Sequence, residues 1–198
     1  LRRLVSEFSE FAKLPRADLA PSDLCDLSQT IQDSVPAILE DVGRGTPAPV
    51  EVRVTCATEP IRVRMDPMML KRGVDNILRN AIQAVYEVHP SGGGRVFVRA
   101  YGTDNAGFIE VRDNGPGIPT DLHHRLSTPF FTTKRKGTGL GLSVARHWIR
   151  RHDGRLRISS VPGEGTRVDV HLPIRPPSHE NKSDLPETSS ALRSPNDD

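Results

Sequence analysis

The sequence predicts an α/β fold, a mixed β-sheet covered on one face by helices. Two observations carry that class. Short alternating apolar runs recur at 50–54, 61–65, 95–101, 108–112, 156–158 and 167–172, the pattern of half-buried strands. Among them lie two longer segments, about 67–88 and 141–152, whose apolar residues repeat at helical spacing. The alternation is too irregular for a doubly wound parallel sheet, which leaves the one-sided mixed sheet.

Taken in order, residues 1–14 place Leu1, Leu4, Val5, Phe8, Phe11 and Ala12 on one face of a short N-terminal helix. Pro15 ends it by disfavouring helix at Leu14. A helix this short is marginal alone, so the face packs on the next domain or belongs to a bundle not contained here. Residues 15–22, with two prolines, read as a linker. A domain then spans 23–174. It opens between Leu24 and Val42 with a short strand and a helix interrupted near Pro36, and a turn rich in glycine and proline comes next. Asp66-Pro67 is an N-cap with proline at the first helical position. The helix it opens turns Met69, Leu70, Val74, Ile77, Leu78, Ala81, Ile82 and Val85 inward. The runs at 95–101 and 108–112 read as a hairpin-like pair. Residues 115–140 have little regular pattern and are long enough to be a functional loop. Gly154 stops the second long helix. Beyond Pro173 the chain is rich in proline, serine and charge, so 175–198 is expected to be disordered.

Composition narrows the function. At 198 residues, 35% hydrophobic and 26% charged, the chain suits one ordinary domain with appendages, and no apolar run approaches a membrane span. Residues 175–198 carry three Lys/Arg against five Asp/Glu, a net of −2, which leaves +4 for residues 1–174. That excess is too small to argue for nucleic acid and fits a local anionic ligand. Cys25 and Cys56 show no metal or redox spacing and read as buried free thiols.

Three stretches carry chemistry. Asn76 and Asn80 stand four apart on one helical face. Asparagine is a poor helix-interior residue, so the pair caps neighbouring loops or offers an amide oxygen to a hard cation such as Mg²⁺. Asp113-Asn114-Gly115-Pro116-Gly117 ends a strand, and is either a plain turn or a carboxylate set to accept the exocyclic amine of adenine. Gly137-Thr138-Gly139-Leu140-Gly141-Leu142 opens a helix, where bare amides favour anions. Leu142 replaces the third glycine of a dinucleotide fingerprint, and GxxxxGK[ST] is absent.

In this order the three stretches resemble the nucleotide-binding domain shared by sensor histidine kinases, gyrase, the Hsp90 chaperones and MutL proteins. The resemblance covers about 50–173 and implies a Bergerat-type two-layer α/β sandwich, with ATP under a mobile lid at 115–140. It implies that Asn80 ligates Mg²⁺, and that Asp113, Gly115, Gly117 and Ile118 bind adenine. Pro129-Phe130-Phe131-Thr132-Thr133-Lys134 looks like the F box, and Gly137, Thr138, Gly139, Leu140, Gly141 and Leu142 like the phosphate box. Thr166 is a further candidate contact to the lid or phosphates. The F box and the Gly139–Leu142 run point to the histidine kinases, and residues 4–15 look like the end of the second hairpin helix of NtrY-like nitrogen-regulation kinases.

ATP-hydrolysing relatives carry a glutamate general base where this chain has Asn76, so the domain is expected to hold ATP without hydrolysing it fast. The resemblance implies transfer of the γ-phosphoryl to a histidine on a dimerisation domain. Asn76 is expected to support the phosphate side, and Lys134, Arg135 and Lys136, close in sequence to the phosphate box, either neutralise developing charge or form a solvated lid tip. All seven histidines lie after residue 88, and His179-Glu180 lies in the polar tail, so the acceptor is expected upstream of Leu1. His152 is expected to be structural. Further expectations are a homodimeric intact protein, a response regulator as partner, no nucleic acid, a cytoplasmic fragment and an inner-membrane anchor upstream. The alternatives are a non-catalytic ATP-responsive interaction module and a gyrase- or MutL-like ATPase clamp.

Overall fold

A computed structural model describes residues 17–43, 49–126, 128, 130–132 and 139–174. The expected helix over 1–14, the tail 175–198, and Pro129, Thr133, Lys134, Arg135, Lys136, Gly137 and Thr138 lie outside the described residues. The elements run β1 (Ala20–Asp23), α1 (Leu24–Gly43), β2 (Val50–Cys56), β3 (Arg62–Met65), α2 (Pro67–Val88), β4 (Gly94–Gly102) and β5 (Ala106–Asp113). A 3₁₀ turn at Thr120–Arg125 precedes α3 (Gly141–Arg151), β6 (Arg155–Val161) and β7 (Gly165–Pro173).

Five strands form the main sheet in the order β2-β4-β5-β7-β6. β2 runs parallel to β4, and every other neighbouring pair is antiparallel. β1 and β3 make a separate antiparallel pair. The sheet is covered on one face, as its alternation requires. Val96, Val98 and Ala100 of β4, Ile109 and Val111 of β5, and Val168, Val170 and Leu172 of β7 are buried beneath the helices. α2 packs against α1 and α3 and lies on β4 and β5. Its stripe of Leu70, Val74, Ile77, Leu78, Ile82 and Val85 is fully enclosed. Each such side chain contributes about 1.5–3 kcal/mol by leaving water, so this helix is the backbone of the core.

Three local expectations are corrected. The short strand precedes Leu24, so the proline-bearing segment taken for linker already pairs with β3 from Ala20 onward. α1 runs unbroken through Pro36. Pro36 and Gln32 are both exposed, so the carbonyl left without its helical donor can meet water. Meanwhile Leu27, Ile31, Val35 and Ile38 stay buried on the other side and hold the helix together. Last, Cys25 and Cys56 are not free thiols but form a disulfide, with Cα atoms 5.6 Å apart.

Candidate nucleotide site

The site is built at one end of the two central strands. Asp113 is the last residue of β5 and is 7% exposed. One carboxylate oxygen accepts the Gly115 N–H at 2.9 Å and the Thr166 N–H at 3.3 Å. A buried carboxylate needs bonded partners, and these two amides supply them to that oxygen while fixing its direction. Asn114 anchors the turn from the other side. Its carbonyl oxygen accepts the Arg95 N–H at 2.7 Å, and its amide donates to the Gly93 carbonyl at 3.0 Å.

The glycines here are needed for close approach. Gly117 has φ +68°, and a Cβ there would lie 2.2 Å from the Val161 carbonyl oxygen. Gly165 has φ +122°, and its Cβ would fall 2.0 Å from the Asp113 carbonyl oxygen. Only glycine lets the Asp113 turn and the β6–β7 turn touch. Ile118 is held by its N–H on the Ser160 hydroxyl at 2.9 Å. His123 Nε2 donates to the Ile118 carbonyl at 3.1 Å. That contact ties in the 3₁₀ turn, which breaks the irregular loop expected over 115–140.

The opposite wall comes from α2 and α3. Asn76 and Asn80 point at the start of α3: the Cβ position of Gly141 lies 3.7 Å from both amide oxygens. Asn76 also donates to the Arg72 carbonyl at 3.0 Å, one turn back. Leu140 is buried at the N-cap of α3, so the first free N–H groups of that helix open beside the asparagines. His152 closes the same helix from behind. Its Nε2 accepts the Asp66 N–H at 3.0 Å, which leaves Nδ1 protonated and donating to the Trp148 carbonyl at 2.7 Å. That is a structural role, as expected.

A cleft of about 250 Å³ joins the two walls. Asn76, Asn80, Asp113, Gly117, Ile118, Phe131, Thr132, Gly139, Gly141, Leu142 and Thr166 line it, while Gly115 and Leu140 support it from beneath. Sequence reasoning missed its apolar wall: Ala84, Val111, Leu122, Leu126, Ile158 and Val168. Val111, Ile158 and Val168 fell within runs read as ordinary strands and the other three carried no cue, so only the fold shows that they face an opening. An apolar slot ending in one buried carboxylate suits a flat heteroaromatic ring, and a helix N-terminus beside amide oxygens suits an anion. Arg125 adds a cation 4.3 Å above the Phe131 ring at the rim.

Residues 65–176 match the family model for the histidine kinase-, DNA gyrase B- and HSP90-like ATPases. The alginate biosynthesis sensor protein KinB of Pseudomonas aeruginosa is 32% identical over 86% of this chain and 28% of its own length. The nitrogen regulation protein NtrY of Azorhizobium caulinodans is 33% identical over 90% of this chain and 22% of its own. The chain therefore spans about a quarter of the length of these curated relatives. Among solved structures, a mycobacterial sensor histidine kinase, MprB, superposes with a TM-score of 0.60 at 31% identity, over 80% of this chain and 99% of that one. The relatives bear out the resemblance to sensor histidine kinases, and the cleft lies where the matched segment carries its asparagines, aspartate and glycines. With more than half its length inside the matched segment, the chain belongs to the histidine kinase-, DNA gyrase B- and HSP90-like ATPase family.

Proposed function

We propose that the chain is the ATP-binding, phosphoryl-donating part of a sensor histidine kinase, passing the γ-phosphoryl of ATP to a histidine on a dimerisation domain. The observation that carries this reading is the cleft with Asp113 buried at its apolar end and Asn76 and Asn80 facing the α3 N-terminus. Asp113 accepts the adenine amine, and the apolar wall holds the ring. The α3 amides take the phosphates, and Lys134, with Arg135 and Lys136, balances their charge. Thr166 helps to hold Asp113.

The donor set fits Mg²⁺ arriving with the nucleotide. Amide oxygens stand at the phosphate end, and among the described residues no group of three or more His, Cys, Asp or Glu could hold a resident metal. Mg²⁺ keeps waters and takes other ligands from phosphate, so Asn80 alone would suffice from the protein. When bound, the ion would neutralise charge across the β- and γ-phosphates. Asn76 stands where a water-activating carboxylate would be needed for hydrolysis, and an amide cannot take that proton. The γ-phosphoryl then waits for a better-placed nucleophile, and positioning supplies most of the rate.

The same reading assigns the partners and the compartment. The partners are the phosphoacceptor domain of the same kinase and a response regulator, with a homodimer in the longer protein. The domain works in the cytoplasm, where ATP is. No helix among the described residues is long and apolar enough to cross a membrane.

The test uses radiolabelled ATP with the chain alone, with a separately supplied hairpin bearing the acceptor histidine, and with an Asn80→Ala control. Label should reach the hairpin, with slow phosphate release by the chain alone. Rapid release by the chain alone, abolished in the control, would instead identify an ATPase clamp. Binding without either product would identify a nucleotide-responsive module.

A further inference from the structure

The two cysteines of the chain lie 31 positions apart and meet only because the fold brings them together. Cys25 is in the first turn of α1, two residues past β1. Cys56 is the last residue of β2, an edge strand bonded on one side only. Both are half-buried, within reach of small reagents. Neither they nor any other residue of β1, of the first turn of α1 or of β2 lines the nucleotide cleft.

The bridge closes over a knot of polar contacts. The buried Asp23 carboxylate accepts the Cys25 N–H at 2.9 Å and the Ile61 N–H at 2.9 Å, and the Leu24 N–H donates to the Ile61 carbonyl at 3.0 Å. Outside that knot β1 and the residues just before it are held by four register pairs to β3, by the Arg64 guanidinium on the Leu19 carbonyl at 3.1 Å and by the Asp18 N–H on the Asp66 carboxylate at 3.2 Å. β1 is the first described element of the chain and leads it into the nucleotide-binding body. Its attachment is light without the bridge and covalent with it.

We infer that Cys25 and Cys56 form a reversible redox modification site, a thiol–disulfide pair that fastens β1 to the sheet edge when oxidised and releases it when reduced. This rests on the proposed function at one point: a domain that uses ATP works in a compartment kept reducing, where disulfides are transient and regulatory rather than permanent. The co-reactant is a low-molecular-weight thiol of the glutathione class. Thiolate attack on one sulfur gives a mixed disulfide and frees the other cysteine as a thiolate, which takes a proton. A second thiol then resolves the mixed disulfide. Two electrons and two protons have entered the protein as two thiols, and one reagent disulfide leaves. In a kinase, the bridge would control how far the ATP-bearing body can reach from the segment before it.

The test equilibrates the whole chain in glutathione buffers of varied thiol-to-disulfide ratio, then acid-quenches, alkylates and weighs it. The chain should pass between zero and two alkylated cysteines. Hydrogen exchange in Ala20–Cys25 and Val50–Cys56 should quicken about tenfold or more on reduction. The melting temperature should fall by about 5–15 °C, given the length of the closed loop. Cys25→Ser with Cys56→Ser should reproduce the reduced state in every buffer. Nucleotide affinity, measured separately by calorimetry, should stay within about twofold. Two free thiols at every ratio, a bridge that no glutathione ratio reduces, or unchanged exchange in those segments would overturn the inference. Failure to bind ATP would remove the functional reading and leave the redox measurement standing.

Discussion

Asp113 accepts two backbone amides through one carboxylate oxygen and also lines the cleft, so two different substitutions there should part company. Asp113→Asn keeps an acceptor for the Gly115 and Thr166 amides but can present donors where, on the proposed function, the adenine amine would also donate. Calorimetry should find nucleotide affinity lower by about 10- to 150-fold, equivalent to about 1.5–3 kcal/mol, with little change in melting. Asp113→Ala should lose that affinity and destabilise the turn as well, because two buried amides lose their acceptor. Gly117→Ala must fail differently. The added carbon meets the Val161 carbonyl in a left-handed backbone, so about 2 kcal/mol or more of stability should vanish in a denaturant melt. His147 gives a pH signature. Burial, and then the Arg151 guanidinium, hold it below its ordinary value of 6.5. Neutral His147 accepts the Arg151 Nε–H at 3.4 Å. With the folded value below the unfolded one, its contribution is complete above pH 6.5 and is lost as pH falls through the lowered folded value. Urea melts should show an acid-side decline that His147→Gln flattens, so the stability difference between the two proteins should be constant above pH 6.5 and change only below it.

At the scale of elements, α2 organises the rest, and its start is its most exposed dependency. The Asp66 carboxylate accepts the Met69 N–H at 3.1 Å through one oxygen and the Asp18 N–H at 3.2 Å through the other. Asp66→Ala should therefore cost about 1–2 kcal/mol by thermal melt and speed hydrogen exchange at residues 17–20, beyond the helix itself. This helix was legible because every cue is local: Asp66-Pro67 at the start, and apolar spacing to Val88, where the helix ends. The hairpin of β4 and β5 was legible for the same reason, and Asn80, Asp113, Gly139 and Gly141, singled out by residue type and order, do meet at one cleft. What could not be read is non-local. Strand order places β2 beside β4 although β3 and α2 intervene. Pro36 misled because local propensity was outweighed by a buried stripe on the far side of the helix. Cys25 and Cys56 have no sequence pattern at all. Helix termination was half right: Asp153 takes the left-handed conformation, and Gly154 serves by lying close to Ile149 and His171.

For the molecule as a whole, the one-sided sheet sets what the surface can do. The face left uncovered by the described residues carries Arg167 bonded to Glu110 at 3.1 Å and to Asp169 at 2.8 Å, and Tyr101 stacked on Phe108 with centroids 5.0 Å apart. Among the described residues the open sheet also has two unpaired rims, each a template for another strand. The β6 rim bears exposed Arg155 and Arg157, so a second copy arriving rim to rim would bring like charges together. The β2 rim is preceded by Pro49, which offers no donor, and carries the Glu51–Arg53 ion pair. Arg155→Val with Arg157→Val should raise concentration-dependent light scattering above that of the unaltered chain, most clearly at low salt, where the repulsion now blocking the rim is strongest. Among the described residues both rims therefore oppose strand addition, one by like charge and the other by proline and an ion pair, so self-association edge to edge through this sheet is disfavoured.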